Sequence, residues 1–90
     1  MTEHVELLSR AANYAVVQLA GRSFPGVVVQ GDSLNEIVND LGAMVELLRT
    51  GRLDDLRDEI DRVRAGLSEA LAHYEQVCVA RGIELPYPKS

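Results

Sequence analysis

The chain has no tryptophan, one phenylalanine and three tyrosines among its 90 residues. Aromatic rings supply the largest single blocks of buried area, so a core here has to be assembled from Leu, Val, Ile and Ala. There is one cysteine, Cys78, which excludes an intrachain disulfide. Set among apolar residues in a helical pattern, it reads as a small buried hydrophobe rather than a reactive thiol. Bases are outnumbered, 9 against 14 acids, for a net charge of −5. The arginines are dispersed and mostly have acidic neighbours, so no basic face tracks a phosphate backbone. Nucleic acid is therefore not expected as a partner, and a basic or apolar protein surface is favoured. No apolar run approaches the ~20 residues that span a bilayer. The N-terminus, Met1-Thr2-Glu3-His4-Val5-Glu6, is acidic and polar rather than a signal peptide. No membrane partner is expected, and the cytoplasm is the default location.

What is present is ordinary for a folded domain: 47% hydrophobic and 26% charged residues, a balance that argues against disorder. The length indicates one domain, residues 1–90. Strands and turns are expected over 1–32. H-V-E-L-L-S (4–9) alternates only partly. N-Y-A-V-V-Q-L-A (13–20) is rich in β-formers and closed by Gly21. After F-P-G (24–26), Val27-Val28-Val29-Gln30 forms a third β-branched run. Short connections make an antiparallel meander the simplest arrangement.

At Gly31 the apolar period changes from 2 to 3.6. Leu34, Ile37, Val38, Leu41, Met44, Val45 and Leu48 share one face of a helix over 33–50. Ser33 followed by Glu36 has the spacing of a capping box, with Asp32 adding charge at the positive helix end; loss of such a cap costs about 1 kcal/mol. A second helix is expected over 53–81. Leu53, Leu56, Ile60, Val63, Leu67, Ala70, Tyr74 and Val77 alternate spacings of 3 and 4, a sustained heptad seam. Gly51 and Gly82 sit where C-terminal caps belong. In the tail, 82–90, Pro86 and Pro88 bar a helix. It reads as a frayed end, with an arm laid on a partner as the other reading. The fold class is thus α+β: a small three-stranded antiparallel sheet, then an amphipathic helix and a long heptad-patterned helix. A helix of that length, about 42 Å, outruns a strand of about 20 Å. Some seam must stay uncovered, expected near the far end of the second helix, and a homodimer or another protein partner would cover it. The interface residues expected are Leu53, Leu56, Ile60, Val63, Leu67 and Tyr74; an intramolecular helical hairpin is the competing use of that seam.

Gly31-Asp32-Ser33-Leu34 spells the letters that hold the nucleophilic serine in one class of lipases and esterases. A serine hydrolase also needs a histidine base, an orienting carboxylate and an oxyanion hole. That class carries a late D-x-x-H, which is lacking here, and neither His4 nor His73 has a claim on Ser33. Two histidines and one distant cysteine give no metal-ligand spacing, and Gly21, Gly26 and Gly31 form no phosphate loop. No catalytic, metal-binding or cofactor-binding residue is assigned, and the chain is not expected to be an enzyme.

The stretch F-P-G-V-V-V-Q-G-D-S-L-N-E-I resembles the core motif of HicB-type antitoxins, in which a strand, a P-G turn and a short strand precede Q-G-D-[S/T]-L-x-E at a helix start. Pro25-Gly26, Gln30-Gly31-Asp32-Ser33-Leu34 and Glu36 match it residue by residue, within a likeness covering about 13–49. The L-P-Y-P-K-S tail is similar to the proline-containing end of that domain. With its N-Y-A-V, F-P-G and Q-G-D-S-L motifs the chain also resembles small bacterial proteins of unassigned function. The antitoxin resemblance implies a β-β-β-α-β unit that neutralises a small ribonuclease toxin, with no catalytic residues of its own. This chain differs in placing a long heptad helix where the last strand would stand, with no basic DNA-binding segment after it. The function expected is a non-enzymatic protein-binding module, antitoxin-like or immunity-like, that associates through the long helix. The alternative is a small ligand-binding or enzymatic domain with a pocket between the strands and the first helix, near Phe24 and Asp32.

Overall fold

The computed structural model describes residues 4–10 and 13–89; the first three residues of the polar N-terminus and Ser90 of the tail lie outside them. Three strands, β1 (Val5–Leu7), β2 (Val16–Leu19) and β3 (Gly26–Val27), precede two helices, α1 (Gly31–Arg49) and α2 (Leu53–Ala80). The sheet is an antiparallel meander in the order β1-β2-β3. The architecture is the expected α+β class. The chain divides into two compact units. One gathers the strands with Ala70 and the residues beyond it; the other spans Gln30–Glu69.

In the first unit, β2 lies centrally. Val5 pairs with Leu19, Leu7 with Val17, and on the other side Val16 with Val27. Each strand is shorter than its apolar run. β2 begins at Val16 and not at Asn13 because Asn13 and Tyr14 form a turn, with Tyr14 in the left-handed region at φ 61°, a conformation no strand contains. That turn also ends β3. The Val28 N–H still donates to the Ala15 carbonyl at 2.8 Å, but opposite Val29 and Gln30 the β2 backbone has already turned away.

One face of this sheet meets the last turns of α2. Leu8, Val16, Tyr74 and Cys78 form the buried cluster, with Val16 and Cys78 wholly enclosed. Cys78 is the buried small hydrophobe its surroundings suggested. The Tyr74 hydroxyl donates to the Pro25 carbonyl at 2.9 Å, and the Arg81 Nε donates to the Leu8 carbonyl at 3.0 Å. α2 then ends in a Schellman turn. Gly82 takes φ 67°, its N–H donates to the Val79 carbonyl, and the Ile83 N–H donates to the Cys78 carbonyl at 2.8 Å. The left-handed step at Gly82 turns the chain back, so that Ile83, Leu85 and Tyr87 pack on the cluster. Tyr87 donates to a Glu75 carboxylate oxygen at 3.2 Å and Lys89 lies 4.0 Å from the other. The tail is neither frayed nor a free arm: it bends at Pro86-Tyr87, and its apolar residues complete a core that a three-stranded sheet is too small to close.

The start of α1 corrects the capping box. The helix begins at Gly31, with Gln30 as its N-cap and no side-chain cap bond. Ser33 already lies inside the first turn, where its backbone is helical and its hydroxyl is past the exposed amides. Asp32 does satisfy one of those amides, its Oδ1 accepting from the Ser33 N–H at 2.8 Å; Glu36 is exposed. Ser33→Ala is accordingly expected to shift stability by less than about 0.5 kcal/mol in denaturant titration; a loss near 1 kcal/mol would restore the cap.

Tyr74 carries a pH dependence. Burial, and next the neighbouring Cys78, push its phenol above the ordinary value of 10.0. A folded-state pKa above the unfolded one means that the native protein holds the proton longer, so stability is level below about pH 10 and falls as pH rises beyond it. Burial and Glu75 push Tyr87 the same way. Tyr74→Phe is expected to cost about 1–3 kcal/mol at neutral pH by leaving the Pro25 carbonyl unpaired, and to flatten the alkaline decline. Urea titrations at pH 7 and above pH 10 check both effects.

Candidate interaction surface

The second unit is a pair of helices joined by Thr50-Gly51-Arg52. α1 ends in the same motif as α2: Gly51 has φ 72°, and the Arg52 N–H donates to the Leu47 carbonyl at 2.9 Å. An ion pair at 2.9 Å links Asp40 of α1 to Arg62 of α2. The two residues stand equally far along the chain from Gly51, so the helices run antiparallel. Arg62 also bonds Glu59, and these two carboxylates, Glu59 first, raise the guanidinium above its ordinary pKa. At the end of α1, Glu46 and Arg49 pair along the helix; the bond lowers the Glu46 pKa and raises that of Arg49.

Packing between these helices is shallow. Ile37, Met44 and Leu47 of α1, with Leu56 and Val63 of α2, are half-buried, and no side chain from Gln30 to Glu69 is fully buried. One residue further round α1 runs a second apolar row: Leu34, Val38, Leu41, Val45 and Leu48. Each of these keeps between 52% and 65% of its surface in water. The two rows are separated by about 100° of helix rotation, so a single neighbouring helix covers one and leaves the other. Burying the exposed half of each side chain would release roughly 1 kcal/mol apiece.

Of the interface residues expected from the seam, Leu53, Ile60 and Leu67 are exposed, while Leu56 and Val63 are half-buried against α1. Tyr74 is a correction. It lies in the core of the other unit, 5% exposed and hydrogen-bonded to Pro25, because the sheet needs an aromatic to span from helix to strand. The uncovered stretch is not confined to the far end of α2. That end carries the buried Tyr74 and Cys78 beside the exposed Leu71 and Val79, and further exposed apolar residues lie on α1 and at Leu53, Ile60 and Leu67 of α2. The α1 row lies outside the heptad seam. Its signal was the width of the apolar face: Ile37 with Val38, and Met44 with Val45, are adjacent in sequence, and adjacent residues cannot share one narrow stripe.

Other surfaces offer less. Phe24 borders a shallow open depression with Gly21, Arg22, Ser23 and Pro25, while Asp32 belongs to the other unit. Ser33 lies in the helical pair and the exposed His4 and His73 in the sheet unit. Among the described residues no cluster of three or more His, Cys, Asp or Glu could hold a metal ion, and no helix is long and apolar enough to cross a membrane.

A family model described as "Family of unknown function (DUF6959)" matches residues 1–87. No curated protein and no solved structure matches the chain.

Gly66 occupies the interior of α2, and a Cβ built on it meets nothing within 4 Å. Glycine there costs helix stability without sparing a neighbour. Gly66→Ala is expected to stabilise the protein by about 0.5–1 kcal/mol, read as a higher urea midpoint; a lower midpoint would show that the position needs its open space.

Proposed function

The chain belongs to the DUF6959 family, whose function is unknown, so its role has to be read from its own surface: we propose that it is a non-enzymatic, cytoplasmic protein-binding module that docks its partner on the helical pair. The observation that carries this reading is the exposed row on α1. Leu34, Val38, Leu41, Val45 and Leu48 repeat at coiled-coil spacing on a helix that buries no residue of its own. Isolated apolar side chains are common on protein surfaces; a regular row of five marks a site of association. The exposed Leu53, Ile60 and Leu67 of α2 extend the apolar surface of the same unit, so the long helix shares the work that α1 leads.

An antitoxin-like or immunity-like role fits a small acidic module that acts by covering another protein. The likeness of Pro25-Gly26 and Gln30–Leu34 to the HicB-type motif supports it. These residues fall at β3 and at the start of α1, the strand-to-helix junction that the motif describes.

Val45→Asp tests the reading. The side chain is exposed, so the far-UV circular dichroism should be unchanged, while a protein that co-purifies with the wild-type chain from its host should be lost. A variant that keeps both its fold and its bound protein would remove the α1 row from the account.

A further inference from the structure

We infer that the occupant of the helical pair is a single amphipathic helix with an apolar stripe and acidic residues along the flank it turns toward α2; this rests on the protein-binding reading above and names the chemistry of the partner. The exposed apolar residues of α1 and α2 share one side of the pair. On α1, Val38 follows the half-buried Ile37 by one residue and Val45 follows Met44 by one, a forward rotation of about 100°. On α2, Ile60 follows the half-buried Leu56 by four residues and Leu67 follows Val63 by four, a forward rotation of about 40°. In antiparallel helices, the same sense of rotation away from the contact leads to the same side. The bonded charges lie the other way. Asp40 follows Ile37 by three residues and Glu59 follows Leu56 by three, each turned back by about 60°, and there Arg62 bonds both. One side of the pair is thus closed by ion pairs, and the other is an apolar face two helices wide. From Leu34 to Leu48 it runs about 21 Å, about four helical turns. A face of that shape seats one further helix by its apolar stripe.

The rim decides the charge of that helix. Arg57 follows Leu53 by four residues and Arg64 follows Ile60 by four, so both stand next round α2, just outside its apolar row. Both are exposed, and among the described residues neither forms an ion pair, whereas Arg52 is bonded to Asp55 and Arg62 to Asp40 and Glu59. Asp54 and Asp61 lie further round the helix, away from the apolar row. The α1 rim is neutral: Asn35 and Gly42 carry no charge, and Arg49 is satisfied by Glu46. A net charge of −5 favours a basic partner at long range, yet the unbonded charges beside the face have the other sign. Flanking charges seven residues apart are those that select a partner helix, and two arginines select carboxylates at matching spacing.

Binding of two synthetic peptides to the full chain tests the inference. Both are helices of about four turns with the same leucine stripe; one carries Glu at its flanking positions and the other Lys. In fluorescence anisotropy the Glu peptide should bind about tenfold more tightly, the scale of two exposed attractions exchanged for two repulsions, and the difference should shrink as salt is raised. Arg57→Gln/Arg64→Gln should keep its circular dichroism and bind the two peptides alike, and Val45→Asp should bind neither. Equal binding by the wild-type chain, or a preference for Lys, with both lost in Val45→Asp, would overturn the acidic flank and leave the docking face standing. A Glu preference that survives in Arg57→Gln/Arg64→Gln would overturn the arginines as its source. Binding that persists in Val45→Asp would overturn the docking face together with the helix placed on it. Failure of both peptides to bind would overturn the helix as occupant, while a co-purifying protein lost in Val45→Asp would still uphold the face.

Discussion

A strand of four residues cannot cover a helix of 28. At 3.4 Å and 1.5 Å per residue these elements measure about 14 Å and about 42 Å, and the remaining features follow from the difference. The sheet serves only the last turns of α2, where Tyr74 and Cys78 face Val16. Tyr74 suits that place because its ring fills space that a sheet without tryptophan or buried phenylalanine leaves open, and its hydroxyl gives the Pro25 carbonyl a partner as both lose water. What the sheet does not enclose, Ile83, Leu85 and Tyr87 of the returning tail do. The first half of α2, out of reach of these residues, is left to α1.

α1 is poorly matched to that task as the only companion. Its apolar face is two rows wide, and α2 meets one of them. The two helices also hold each other by a surface ion pair, Asp40–Arg62, of a kind that adds little to stability. The proposed role turns this surplus into the purpose of the element: a helix that needs a second neighbour is a helix prepared to receive one.

Much of the framework was legible in the chain itself. The change of period at Gly31, the heptad spacing from Leu53, and the glycines at 51 and 82 place α1, α2 and their ends to within a residue or two, since backbone geometry and local periodicity decide them. The parts that were not legible depend on contacts distant in sequence. Tyr14 carries β propensity but lies in a turn with Asn13. Ser33 has the letters of a capping box but enters the helix two residues late. Tyr74 fits the heptad register yet belongs to the core, because Pro25 lies 49 residues away in sequence and no local pattern brings the two together. The surface was half legible: the apolar width of α1 was visible in the adjacent pairs Ile37-Val38 and Met44-Val45, but which row stays in water depends on where α2 lies.

The return of the tail after Gly82 sets an order of events at the ribosome. The sheet unit is built from the two ends of the chain, with the whole helical pair inserted between them. Its strands emerge first but cannot bury Val16 until Tyr74, Cys78 and the tail have followed, a wait on the order of seconds at ordinary rates of synthesis. Gln30–Glu69 is continuous and local, so it can form while the strands are still waiting. The nascent chain therefore keeps one face of its sheet uncovered until Ile83, Leu85 and Tyr87 have been translated.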